Sequence, residues 1–244
     1  MTRIVSMLPV HNEASRWLTQ VLDQLSVLTD CIVVYDDAST DETAWLCHKY
    51  AKVRYYRGDF PWFQRDEAAL RRHLWELVGY EEPDWILALD ADELFEDRAL
   101  GELPKLTHQD DFDAVAFRIF DFWKSVDQIR IDGAWNPWNR FSPLMVRYDK
   151  TLSPVWMAQP IHCGRFPLSY RDRVTFYSHL RVQHYGWARG EEHLSKYLFY
   201  RERDLAVFGK VQPHTESVLS TTVTVEPWIP LASPRWFEEK ENNR

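Results

Sequence analysis

Glycine is scarce in this chain, 8 residues in 244. That scarcity, set beside 45% hydrophobic residues, argues for a folded globule and against a flexible linker or a disordered segment. The length suits one large domain, or one domain with an appendage. Cysteine is sparse too. Cys31, Cys47 and Cys163 are odd in number and widely spaced, with no Cys-x-x-Cys pair. They speak against a disulfide framework or a thiolate zinc site and read as reduced thiols in the cytoplasm. No block of Lys and Arg occurs and the net charge is −8, which argues against a nucleic-acid partner. No apolar run approaches the ~20 residues of a membrane-spanning helix. The amino-terminal segment breaks at Pro9 and carries no signal-peptide cleavage pattern.

What is present is a short apolar run ending in acid: Trp85 to Leu89, followed by Asp90, Ala91, Asp92 and Glu93. The run has the length and content of a buried strand. A strand end of this kind lies at the sheet edge where α/β proteins bind ligands. In an extended segment Asp90 and Asp92 share one face. Two hard oxygen donors on one face suit Mg²⁺ or Mn²⁺ that also holds substrate phosphates. Taken alone, an Asp-x-Asp is more often a solvated acidic turn; its neighbours along the chain shift the balance.

Ile4–Leu8, Cys31–Tyr35 and Val53–Tyr56 are the other strand candidates before residue 90, with Pro9 expected to end the first. Trp17, Leu18, Val21, Leu22, Leu25 and Leu28 recur at helical spacing. Ser39-Thr40-Asp41-Glu42 has the form of a capping box, predicting a helix to about Tyr50. Ala68, Leu70, Leu74, Leu77 and Val78 mark a third helix. This alternation predicts an α/β fold with a mostly parallel sheet flanked by helices. After residue 100 the chain becomes loop-rich and α+β in character, with strands over 114–120, 141–148 and 175–182 and a helix over 191–204. A loosely packed tail is expected from about residue 226.

Four groups of polar residues fall on one edge of the predicted sheet. They are Pro9 to Glu13, Asp36 to Asp41, Gln64 to Ala68, and Asp90 to Glu93. In order and spacing they resemble family 2 glycosyltransferases of the GT-A, Rossmann-like fold. That family's pattern contains Pro-x-x-Asn-Glu, Asp-Asp-x-Ser-x-Asp, Arg-Asn-x-Ala and Asp-x-Asp-Glu. The resemblance covers roughly the first hundred residues and is nearest to bacterial members that build surface polysaccharide and lipopolysaccharide core. One departure is Asp66, where the family usually has Asn.

The resemblance implies residues 1–100 as a nucleotide-sugar half, 101–225 as an acceptor half, and 226–244 as a tail. It implies a nucleoside diphosphate sugar donor, a UDP-sugar first, an inverting transfer, and a Mn²⁺ or Mg²⁺ cofactor. Asp37 would accept a hydrogen bond from the base, Pro9 and Glu13 would shape the pocket, and Arg65 would contact the nucleotide or its diphosphate. Asp92 would be the direct metal ligand, and Asp90 would bind the ribose or the metal through water. His184, after a late strand, would complete the metal site. At Pro160-Ile161-His162-Cys163 the family carries an acid near the acceptor, and Cys163 replaces it. His162 is then the leading candidate for the base, with Glu93 and Asp172 behind it. Trp135, Trp138 and Trp156 are candidates for an acceptor groove, core packing being equally plausible for each. Lys196 and Arg201 read as a solvated helix face. A peripheral membrane contact follows from the resemblance alone, through an acceptor on a lipid carrier or surface polymer.

Two alternatives share parts of this pattern. A non-catalytic nucleotide- or carbohydrate-binding protein would keep the fold and lack the acid, as Cys163 does. A Mg²⁺-dependent phosphatase would use Asp-x-Asp, but after its first strand and with Thr or Val where Leu94 stands.

Overall fold

The computed structural model describes residues 2–230. β1 (Ile4–Val10), β2 (Cys31–Asp36), β3 (Val53–Arg57) and β4 (Trp85–Ala88) lie parallel in the order β3-β2-β1-β4. Helices α1 (Leu18–Leu28), α2 (Thr43–Cys47) and α3 (Glu67–Gly79) make the crossovers. β2 and β4 are buried along their whole length, as expected of parallel strands covered on both faces. Alternation along β1 sends Ile4, Leu8 and Val10 to one core with Leu18, Val21, Leu22 and Leu25 of α1. Val5 and Met7 go to the other, with Leu70, Leu74, Trp75 and Val78 of α3.

β5 (Glu93–Phe95), α4 (Ala99–Glu102), β6 (Ala114–Asp121), β7 (Gln128–Arg130), β8 (Ser142–Arg147), β9 (Thr175–His184), α5 (His193–Phe208) and β10 (Val225–Pro227) complete the framework. The sheet continues from β4 as β8-β6-β9-β5, eight strands in all, while β10 and β7 form a separate pair. β8 is antiparallel to β4 and β6, and β5 to β9, whereas β6 and β9 are parallel. Within the eight-stranded sheet four parallel ladders thus outnumber three antiparallel ones, and each of those antiparallel ladders involves the second half. Among the described residues no helix is long and apolar enough to cross a membrane.

Three expectations change. Pro9 does not end β1. β4 pairs with β1 only as far as Met7, so the nitrogen of Pro9 faces a side with no ladder bond to lose. Ser39 does not cap a helix, because its hydroxyl accepts from the Asn12 N–H (2.9 Å), and α2 runs only from Thr43 to Cys47. The start of the expected tail is anchored. Glu226 and Pro227 pair with β7, and Trp228 lies under the Arg181 guanidinium at 3.9 Å. Residues 231–244 of that tail lie outside the described residues.

Candidate active site

The carboxyl ends of β1, β2, β4 and β9 open onto one cavity of about 580 Å³, closed on one side by α5. The loops after β1 and β2 are laced together. Asn12, at φ +55°, accepts from the Thr40 N–H (2.7 Å), and His11 Nδ1 lies 2.7 Å from the Asp37 carbonyl. Asn is among the few residues that tolerate this left-handed conformation, because its short side chain bonds locally. Asp37 lines the cavity at 2% exposure and accepts from the N–H groups of Trp62 (2.7 Å) and Phe63 (2.9 Å). Burial pushes its carboxyl up, and those two N–H groups hold it back. Pro9 and Glu13 line the same wall. Glu13 is pushed up to about 8, first by burial and then by Asp92, with Arg16 opposing.

At the end of β4 the three carboxylates part company. Asp90 is gripped by two guanidinia, Arg71 Nη2 at 2.9 Å from Oδ1 and Arg165 Nη2 at 3.1 Å from Oδ2. Burial raises its carboxyl, but Arg165 and Arg71 outweigh burial and hold it well below the usual range. Asp90 therefore lines the cavity with one oxygen on each of two guanidinia. Glu93 is 1% exposed and receives both arms of Arg165, at 2.5 and 2.6 Å, plus the Asp90 N–H at 2.9 Å. Held there, Glu93 does not line the cavity, which corrects its expected role as a base.

Asp92 points elsewhere. Its Oδ1 lies 3.6 Å from His184 Nε2, and His184 Nδ1 meets Asp121 Oδ1 at 2.6 Å. Burial lowers the imidazole pKa, yet Asp92 and Asp121 together carry it up to about 9. A carboxylate on the far ring nitrogen fixes the ring, as in metal-bound histidines. Gly186 makes the close approach possible, since a Cβ there would fall 2.5 Å from His184 Nε2 and 2.9 Å from Asp92 Oδ2. Among the described residues no group of three or more His, Cys, Asp or Glu is arranged around a metal position. Asp92 and His184 fit an ion with two protein ligands, the remainder of its shell being substrate oxygens and water, as hard cations at phosphates commonly have.

The other expected site residues are placed away from the cavity. Arg65 is exposed, with its guanidinium 4.3 Å over the Phe60 ring, and is not among the residues that line the cavity. Its neighbour Asp66 caps α3, accepting from the Ala69 N–H at 3.0 Å. His162, at φ +57°, stands outside the lining, with Nε2 3.4 Å from Asp204 Oδ1 and its ring stacked 6.2 Å from Tyr200. Asp172 is exposed in the turn before β9, also outside the lining. None of the three residues expected to act as base lines the cavity. Trp135 packs 5.1 Å from Trp187 and donates to Ser217 Oγ (2.7 Å). Trp138 packs on Phe120 and Trp156 on Trp75. All three fill cores, so the aromatic wall of the cavity is built by Trp187, Phe199 and Tyr200 instead.

Arg71, Arg165 and Asp121 escaped the sequence reading, and Lys196, expected on a solvated helix face, lines the cavity instead. Arg71 had a signal, a charge on the buried stripe of α3 at 4% exposure between Ala68 and Leu74. Asp121 had one as well, an acid closing an apolar strand as Asp90 does.

An eight-stranded mixed sheet whose parallel half ends in a cavity lined by Asp37, Asp92 and a late histidine is the architecture of the GT-A glycosyltransferases. Residues 7–162, more than half of the chain, match the family described as glycosyl transferase family 2. The chain belongs to that family. An uncharacterized protein of Mycobacterium tuberculosis is 27% identical over 218 residues, spanning 83% of this chain and 51% of that protein. The chain thus spans about half the length of the curated relatives it matches. Among solved structures, S. aureus TarS superposes with a TM-score of 0.56 at 14% identity, over 89% of this chain and 42% of that one. A TarS 1-349 structure in complex with UDP gives 0.55 at 13% identity, over 89% and 70%.

Proposed function

We propose that this domain transfers a sugar, with inversion, from a nucleoside diphosphate sugar to an acceptor hydroxyl, and that Asp92 and His184 hold a Mn²⁺ or Mg²⁺ ion. The observation that carries the reading is the pairing of Asp92 with a histidine pre-oriented by Asp121, in the same cavity as Asp37. A bound divalent cation would neutralise the leaving diphosphate as a Lewis acid. Asp37, positioned by two backbone N–H groups, keeps lone pairs for a base edge. A UDP-sugar is the first donor to try, since TarS, which shares the fold, has been solved with UDP-GlcNAc. An acceptor in cell-surface glycan synthesis and a cytoplasmic setting complete the proposal and rest on the family resemblance.

Thermal stability against UDP, GDP, ADP and CDP, with and without Mn²⁺, tests this reading. A ligand bound only by the native state adds about 2.7 kcal/mol at a hundredfold excess over its Kd. One nucleotide should give a Mn²⁺-dependent shift that Asp92→Ala and His184→Ala abolish. Asp121→Asn should weaken metal affinity about 10- to 100-fold while leaving both ligands in place. No shift with any nucleotide would sink the proposal.

A further inference from the structure

Helix α5 and the residue that precedes it bring Glu192, Ser195, Lys196, Phe199 and Tyr200, at helical spacing, to the cavity wall. Lys196 donates to the Gly186 carbonyl and lies 5.3 Å from the Trp187 ring centroid. Gly186 is the residue at which any side-chain Cβ would collide with His184 Nε2 and Asp92 Oδ2. The ammonium is therefore tied to the same peptide that borders the Asp92–His184 pair.

The cavity's cations differ in how far they are committed. Arg71 is taken by Asp90 at 2.9 Å and Glu67 at 3.5 Å. Arg16 is taken by Glu192 at 2.8 Å and Glu13 at 3.2 Å. Lys196 has a neutral carbonyl and, at 3.7 Å, a Glu192 oxygen that Arg16 already holds. Burial disfavours its charge and Asp92 is the main group sustaining it. A divalent ion at Asp92 would withdraw that support, leaving two cationic centres side by side. Glu192 and Glu13 are already shared with Arg16, so an anion entering the cavity would supply the missing charge, and the donor's diphosphate is the anion the proposed reaction supplies.

We propose that Lys196 binds the diphosphate of the donor and takes up the charge that accumulates on it as the sugar leaves, acting with the metal position but independently of it. The inference rests on the function proposed above. In the step itself the acceptor oxygen bonds to the anomeric carbon. The bond from that carbon to the phosphate oxygen breaks, its electron pair going to the nucleoside diphosphate. Glycoside, nucleoside diphosphate and the acceptor's proton are the products, and Lys196 keeps its own protons throughout. A cation aimed at the oxygen where charge develops contributes more in the transition state than in the ground state.

The test measures UDP binding by calorimetry, with Mn²⁺ present and absent, on the wild type, Lys196→Met, Lys196→Arg and Asp92→Ala. Uridine binding, read by saturation-transfer NMR, reports on the base pocket alone. Lys196→Met should weaken UDP about tenfold or more, leave uridine unchanged and keep the Mn²⁺ dependence, with Lys196→Arg recovering most of the affinity. Unchanged UDP affinity in Lys196→Met would overturn the proposal. Equal loss of UDP and uridine would overturn it too, by showing that Lys196 is only a strut for Gly186. Asp92→Ala should lose the Mn²⁺-dependent part of UDP binding while Lys196→Met retains it, which separates failure of the metal reading from failure of this one. Should the wild type bind none of UDP, GDP, ADP and CDP, the proposed function falls and the role of Lys196 with it.

Discussion

Two arginines neutralise Asp90, and that pairing has a pH signature. Its carboxyl titrates below the ordinary value of about 3.9 because Arg165 and Arg71 outweigh burial. A depressed native pKa stabilises the fold fully above the unfolded value, and the contribution is lost as pH falls through the native one. Asp90→Asn should therefore cost about 1–3 kcal/mol at pH 7, a range kept low because the side chain is 32% exposed. The gap from wild type should narrow towards pH 3 in urea titrations; a gap independent of pH would refute the pairing as its source. Asp37, Asp92 and His184 were legible as cavity residues because polar groups closing apolar strands converge on one sheet edge. The separation of Asp90 from Asp92 was not. The rule that alternate residues share a face needs an extended chain, but β4 ends at Ala88 and the chain turns at Ala91 and Asp92. Arg165 was illegible for another reason: it reaches Glu93 across 72 positions of sequence, and no local pattern encodes that contact.

At the scale of elements, α3 ties the cavity to its surroundings. The loop before it is held by Asp37, Asp66 caps it, and Arg71 projects from its buried side. The departure at Asp66 then has a simple meaning, because Asp and Asn are comparable N-caps. Asp66→Asn should change stability by only a few tenths of a kcal/mol, whereas Asp66→Ala should cost about 1 kcal/mol in urea denaturation. A large effect of Asp66→Asn would show that the charge, not the cap, is what matters. The helix itself was legible from its apolar stripe, as were α1 and the strands β1, β2 and β4, since burial on both faces writes near-continuous apolar runs. Glu42 and Ser39 show where local signals mislead. The Ser-x-x-Glu pattern was present, but the Asn12 N–H outcompeted any helix for the Ser39 hydroxyl. β5, β7 and β10 have three residues each, too few for any periodicity to register.

Across the whole molecule the three thiols are all buried, and their reactivity should sort by what must open to expose each. Cys31 belongs to β2 and Cys47 to α2, each inside one of the two cores that flank the parallel sheet. Cys163 lies in the long connection between β8 and β9, beside Arg165. Burial, the leading cause in each case, pushes Cys31 up to about 11 and Cys47 and Cys163 to about 12, from 9.0. For the latter two the thiolate fraction at pH 8 falls roughly a thousandfold, so reaction has to wait for opening of the structure. The connection around Cys163 contributes no strand of its own and is pinned by Arg165 to Glu93 and Asp90, and by Glu67 to the Pro160 carbonyl and the His162 N–H. Opening there needs only a local rupture, whereas exposing Cys31 or Cys47 means parting the helices from the parallel sheet, near the global unfolding limit. Iodoacetamide labelling followed by mass spectrometry at pH 8 should find Cys163 modified first, and Asp90→Asn should accelerate Cys163 while leaving the order of the other two unchanged. Labelling of all three at one common rate would mean that the β8–β9 connection opens only with the sheet itself, and that the ion pairs beneath it are as stable as the core.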